Sequence, residues 1–203
     1  MSAPSVVVFD FGGVLIEWDP RHLYRKLFVD DEAGMEHFLT HVCSATWNWM
    51  QDAGRSFDEA VAELTGRFPE HADLIAAYHE RWEEMQPFAF DDTVAILREL
   101  KAKGVPVYGI TNFPAEKFEI TRRRHSFFDL LDGIVVSGDV CLMKPDPGIF
   151  LHFLDRFGLE ASQCAFIDDS MVNTDVATRL GFFGVHHRSA DELRKKLTEW
   201  RLL

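Results

Sequence analysis

The feature that most constrains this chain is a repeated ending. Four apolar runs far apart in sequence, within VVVFDFGGV (6–14), YGITNF (108–113), MKPDPGIF (143–150) and AFIDDS (165–170), each give way to polar, reactive residues. Apolar runs without alternation read as parallel strands covered on both faces, and in such sheets ligands bind beyond the carboxyl ends of the strands. If these runs are neighbouring strands, Asp10, Thr111, Lys144 and the pair Asp168, Asp169 meet at one sheet edge.

The rest of the pattern supports that reading. Ser5–Phe9 is a buried strand, followed by Gly12 and Gly13, which let the backbone turn tightly. From Glu17 to Pro87 strand signals vanish and helical periodicity takes over. Asp19-Pro20 reads as a helix start, Ser56 with Asp58 and Glu59 as another, and four or five short helices are expected, including Pro69–Met85. After Pro87 helix and strand alternate: helix 91–103, strand 105–110, helix after Pro114, strand 134–136, helix after Pro147, strand 165–167, helix 173–180, strand 183–185, and a last helix from Ala190. That alternation predicts an α/β fold with a parallel sheet and right-handed crossovers. Residues 17–87 are then a helical cap inserted into a core formed by 1–16 and 88–203.

Composition narrows the function classes. A net charge of -12 disfavours nucleic acid and anionic membrane as partners, so the expected partner is a small molecule. The basic run Arg122–Arg124 follows a helical stretch, where cations suit the C-terminal dipole. Cys43, Cys141 and Cys164 form no CxxC spacing and their odd number cannot pair fully, which fits reduced thiols in the cytoplasm. The N-terminal residues lack a signal-peptide pattern, and no segment is long and apolar enough to span a bilayer. Nothing in the pattern fixes an oligomeric state.

Each polar residue at the sheet edge has two readings. Asp10 is a nucleophile, a metal ligand or a turn former. Thr111 and Asn112 donate to an anionic oxygen or cap the helix before Pro114. Lys144, held in a proline-rich turn, neutralises carboxylate and substrate anion, or is a surface charge. Asp10, Asp168 and Asp169 against Lys144 leave two surplus negative charges. One divalent cation balances them, and an all-oxygen set suits magnesium; a proton shared by the aspartates is the alternative. In the 17–87 segment, Trp47, Asn48 and Arg55 are candidates to face the cleft, Arg55 gripping a second anionic group. His37 and His41 at i, i+4 lack the glutamate of a zinc-peptidase pattern, and His186 and His187 lack companion ligands.

The order FDFGGV, GITN, MKPDP and IDDSMVN resembles the four motifs of the haloacid dehalogenase-like (HAD) hydrolases, across the whole chain. The resemblance implies a Rossmann-like core with a C1-type helical cap. It further implies an aspartyl ester formed at Asp10, and magnesium held by Asp10, the Gly12 carbonyl and Asp169, with Asp168 adjacent. Thr111 and Lys144, with Gly12, Gly13 and Asn112 around them, would bind the transferring phosphoryl. The expected activity is a magnesium-dependent phosphatase of a small phosphorylated metabolite, sugar phosphates among the candidates.

Two departures stand out. Phosphatases of this family usually carry an acid-base aspartate two residues after the nucleophile, where this chain has Gly12; Glu17 and Asp19 are candidate replacements. Asn173 stands where an aspartate often closes the fourth motif, and is expected to accept from Lys144 or hold a metal water. A metal-independent 2-haloacid dehalogenase is the alternative activity, although such enzymes tend to have Tyr-Gly-Thr where this chain has Gly12-Gly13-Val14 and lack the acidic pair. A non-catalytic binding protein on the same fold is the third reading.

Overall fold

Val6–Phe9 form strand β1, with every residue buried, as four consecutive β-branched or aromatic residues require of a strand covered on both faces. With β2 (Val107–Thr111), β3 (Gly133–Val136), β4 (Cys164–Asp168) and β5 (Phe183–His186) it makes one parallel sheet in the order β3-β2-β1-β4-β5. This arrangement comes from a computed structural model that describes residues 3–203.

The chain runs outward from β1 to β2 and β3, then returns to the other side of β1 for β4 and β5. The sheet order therefore reverses at β1, the place where open α/β sheets form a crevice. Register aligns Phe9 with both Gly109 and Ile167, so Asp10 and Asp168 leave the sheet side by side. The Asp10 main-chain N–H donates to Ile167 O at 2.8 Å and extends the ladder one step into the site.

Between β1 and the next core helix the described residues contain no sheet strand, only α1 (Arg21–Tyr24), α2 (Glu32–His41), α3 (Ala45–Asp52), α4 (Phe57–Arg67), α5 (Ala72–Glu80) and two short 3₁₀ turns. The expected Pro69–Met85 helix is divided. Pro69–His71 and Trp82–Met85 are 3₁₀, and Arg81, at φ -113° and ψ 28°, interrupts the α-helical path after α5. The helix starts follow capping chemistry: Asp19 Oδ1 accepts the Arg21 N–H at 2.9 Å, and Ser56 Oγ accepts the Glu59 N–H at 3.3 Å. Where the insertion leaves and rejoins the core, Ile16 and Ala89 form an antiparallel bridge, reinforced by Glu17 N–H to Phe88 O at 3.0 Å.

The core helices are α6 (Asp91–Ala102), α7 (Ala115–Arg124), α8 (Ser137–Val140), α9 (Pro147–Phe157), α10 (Met171–Arg179) and α11 (Ala190–Glu199). Alternating side chains send Val7 and Phe9 into a cluster with Leu97, Phe118 and Leu197, and Val6 and Val8 into one with Phe150, Phe153 and Ala177. Helices thus cover both faces. The first cluster continues without a break into the insertion through Phe38, Trp47, Phe57, Tyr78 and Trp82. Each such wholly buried side chain stabilises the fold by about 1.5–3 kcal/mol, so the insertion is anchored to the sheet by apolar contact. Phe11 lies over β2 at Gly109, where a Cβ would stand 2.3 Å from the ring. No helix among the described residues is long and apolar enough to cross a membrane.

Candidate active site

At the carboxyl ends of β1 and β4 three charged side chains meet out of solvent. Lys144 Nζ lies 2.8 Å from Asp10 Oδ1 and 2.7 Å from Asp168 Oδ2, with Lys144 3%, Asp10 8% and Asp168 0% exposed. Burial alone would lower the lysine pKa, but the two carboxylates beside it raise it, and it remains an ammonium. Asp10 is pushed up to about 7 by burial, with Lys144 pulling down and Asp168 pushing further up. Its Oδ1 also accepts the Phe11 N–H at 2.7 Å.

Asp168 is fully engaged. Oδ1 accepts the Ser170 N–H at 2.8 Å, and Asn173 Nδ2 reaches both carboxylate oxygens at 3.0 Å. Asn173 therefore donates to Asp168 rather than accepting from Lys144. An aspartate at 173 would face that carboxylate with like charge, whereas the amide bonds it. Asp169, exposed, is different: no other described residue donates a hydrogen bond to its carboxylate, and its main-chain O meets His186 Nε2 at 2.9 Å. One oxygen from each of Asp10, Asp168 and Asp169 falls within 4.8 Å of the others.

Gly13, at φ +71°, brings the loop under this cluster, and a Cβ there would stand 2.3 Å from Asp169 Oδ2. Only glycine fits that approach. Asn112 clamps Lys144: its Nδ2 donates to Lys144 O and its Oδ1 accepts the Lys144 N–H, both at 2.8 Å. Asn112 thus holds the lysine's main chain. Thr111 ends β2 in full burial and does not line the cavity beside it, whereas Asn112, Gly12 and Gly13 do.

That cavity, about 300 Å³, is open to Asp10, Lys144 and Asp169 on the core side. Trp18, Trp49 and Trp82 from the inserted segment and Phe113 from the loop after β2 supply its apolar wall. Trp47 instead packs against Phe57 and Tyr78. Among the described residues, the buried Nε1 atoms of Trp18 and Trp82 find no hydrogen-bond partner.

Arg55 is not at the cavity. Its guanidinium is taken up by Gln51 Oε1 and Glu63 Oε2, both at 2.8 Å, so the expectation of a second anion grip there is corrected. Neither Glu17 nor Asp19 lines the cavity; Glu17 pairs with His22 at 3.0 Å and Asp19 caps and pairs with Arg21. The carboxylate that does line it is Asp52, the last residue of α3, which sequence reasoning passed over. Its signal was the i, i+4 spacing from Asn48, whose Nδ2 donates to Asp52 Oδ2 at 3.2 Å. His37 and His41 stack on each other at 4.2 Å, and the three cysteines are free.

Comparison with known proteins agrees with this geometry. The family model of haloacid dehalogenase-like hydrolases matches residues 4–181. The chain is 31% identical over 183 residues to sesquiterpene phosphatase astK of Aspergillus oryzae, covering 90% of this chain and 89% of that one. It is 27% identical to validoxylamine A 7'-phosphate phosphatase of Streptomyces hygroscopicus subsp. limoneus, over 97% and 96% of the two chains. At lower coverage, 71% of this chain and 59% of the other, it is 26% identical to (S)-2-haloacid dehalogenase 4A of Burkholderia cepacia. In structure it resembles a HAD-like family hydrolase from Porphyromonas gingivalis, with a TM-score of 0.73 and 18% identity over 97% and 98% of the chains. With three strand-end motifs and the Lys144 turn before α9 converging on Asp10 and Lys144, and the family match extending over most of its length, the chain belongs to the haloacid dehalogenase-like hydrolases.

Proposed function

We propose that the protein is a magnesium-dependent phosphatase of small phosphorylated metabolites, working through an aspartyl phosphate on Asp10. The observation that carries this reading is the buried Lys144 bridging Asp10 and Asp168 while Asp169 stands beside them with no side-chain donor from another of the described residues. One ammonium cannot balance three carboxylates in a partly dry site, and the donors left over are all oxygens. That set fits magnesium, with Asp10 and Asp169 as direct ligands, the Gly12 carbonyl completing the protein's share, and Asp168 supporting from behind. When bound, the cation would neutralise charge on the phosphoryl oxygens and favour the ionised form of Asp10.

The chain's own residues supply the rest. Asp10 carboxylate attacks phosphorus, and Lys144 offsets charge on the nucleophile and the phosphoryl, the positioning and neutralisation that phosphoryl transfer demands. Asn112 keeps Lys144 in place. Gly12 and Gly13 let the phosphoryl approach the main chain, and Thr111 completes the edge of β2. Residues 17–87 act as the cap over a core of 1–16 and 88–203, of which 1–2 lie outside the described residues. The indole walls of Trp18, Trp49 and Trp82 suit an organic group with an apolar face, a sugar ring or a hydrocarbon chain. Sesquiterpene phosphates therefore belong in the test panel beside sugar phosphates. The free thiols fit a reducing, cytoplasmic setting.

A panel of phosphate monoesters and 2-haloacids, assayed with magnesium and with EDTA, tests the reading. Expected is phosphate release that EDTA abolishes and added magnesium restores. Metal-independent halide release would replace it with the dehalogenase reading, and silence of a folded protein on the whole panel would favour a binding protein.

A further inference from the structure

We propose that Asp52, carried by α3 of the inserted segment, is the general acid and base of the reaction, occupying in space the role that Gly12 leaves vacant in sequence. The proposal rests on the phosphatase reading above and adds a residue to it.

Three carboxylates line the cavity: Asp10, Asp52 and Asp169. On the phosphatase reading Asp10 is the nucleophile, and Asp169 would help to hold the cation. Asp168 is saturated by Lys144, Ser170 and Asn173. Among the described residues no histidine, glutamate, cysteine or tyrosine lines the cavity, so Asp52 is the remaining wall residue able to exchange a proton near neutral pH. It comes from the inserted segment and lines the same cavity as Asp10, Lys144 and Asp169.

Its surroundings suit the task. Asp52 is 6% exposed and, among the described residues, no cation pairs with it directly; the one side chain bonded to its carboxyl is Asn48, at 3.2 Å on Oδ2. A buried carboxyl with one neutral donor favours its protonated form, and burial pushes Asp52 up to about 7, Lys144 opposing. Both protonation states are then accessible at working pH. Asn48 Nδ2 fixes one carboxyl oxygen, which leaves the other to carry the proton. Asn48 Oδ1, itself buried, has no hydrogen-bond partner among the described residues.

The position is rigidly tied to the core. Ser137 Oγ, on α8, donates to Asp52 O at 2.5 Å and accepts the Phe113 N–H at 2.9 Å. One hydroxyl thus links the end of α3 to the loop that follows β2. Atoms and protons balance around the cycle. Asp10 forms a bond to phosphorus, the phosphorus–oxygen ester bond breaks, and the leaving oxygen takes the proton of Asp52. Ionised Asp52 then removes a proton from water as its oxygen attacks phosphorus. The bond to Asp10 breaks, phosphate leaves, and Asp52 ends protonated as it began.

A leaving-group series tests this, reading kcat/KM, which reports formation of the aspartyl phosphate. In the wild type, alkyl and aryl phosphates should differ little, because a supplied proton offsets a poor leaving group. In Asp52→Asn, kcat/KM for alkyl phosphates should fall by about 10²–10⁴, the usual worth of general acid catalysis, while p-nitrophenyl phosphate loses less than about tenfold. Asp52→Glu, which keeps a carboxyl, should recover part of the alkyl activity. Equal losses on both substrate classes, or no loss on either, would overturn the proposal. So would a steep leaving-group dependence in the wild type, a result that needs no variant to fold. Phosphate release by the wild type from either class scores the phosphatase reading by itself; its absence from both overturns that reading and this one together.

Discussion

Gly12 and Gly13 follow the same aspartate but answer to different constraints. At Gly13 the backbone is left-handed and a Cβ would collide with Asp169, whereas at Gly12 the nearest atom to a Cβ is Trp18 Cβ at 4.0 Å. Gly13→Ala should therefore lower stability by roughly 1–3 kcal/mol or more, from strain and the displaced carboxylate. Gly12→Ala should stay within about 1 kcal/mol of the wild type, since only the unfolded chain's freedom changes appreciably. Thermal melts of the two variants check the contrast, and equal losses would mean that the loop is not held as described. Space does not forbid a Cβ at position 12. Asp10, Lys144, Asp168 and Asp169 were legible in the sequence because each stands where an apolar run stops. Asp52 was not, because a carboxylate on an amphipathic helix usually marks the wet face, and only the fold reveals that α3 turns this one inward. Arg55 misled for the opposite reason: an arginine near a cleft reads as an anion grip until Glu63 is seen to hold it.

At the scale of elements, the strands and the longer helices after Pro87 were readable, whereas the four-residue α8 directly after β3 was not. β4 and β5 lie within two residues of their expected limits because buried parallel strands carry unbroken apolar runs between turn residues. Within the insertion the division of Pro69–Met85 was not legible. Its residues favour helix all along, and the break at Arg81 arises where Trp82 and Met85 must reach the core. The seam between insertion and core is crossed by several polar contacts, among them Ser137 Oγ to Asp52 O, Thr121 Oγ1 to Gln86 Oε1 and Lys117 Nζ to His79 O. Ser137→Ala leaves the Phe113 N–H and the Asp52 carbonyl without this partner, and should cost about 1–3 kcal/mol, the penalty for unsatisfied buried groups. Urea denaturation measures that loss. Lower turnover of alkyl phosphates should accompany it, because α3 carries Asp52. An unchanged midpoint would show that the seam does not depend on this hydroxyl.

The whole molecule places a three-carboxylate cluster and its single lysine at the point where the sheet reverses direction, and the helical segment between β1 and α6 adds a further carboxylate, Asp52, to the cavity beside them. That the sheet was parallel followed from the alternation of elements. The crossing back from β3 to β4 on the far side of β1 did not, since strand order depends on long-range packing that no local pattern encodes. The direct test of the central claim is phosphate release by Asp10→Asn, compared with the wild type in magnesium, with the folded state of both verified by melting. The substitution keeps the shape of the side chain and removes its nucleophilic oxygen. The expected result is a fall of about 10³-fold or more, the scale on which loss of a covalent nucleophile acts. A folded variant that keeps turnover within about tenfold of the wild type would contradict the claim, because Asp10 could not then be the group that receives the phosphoryl.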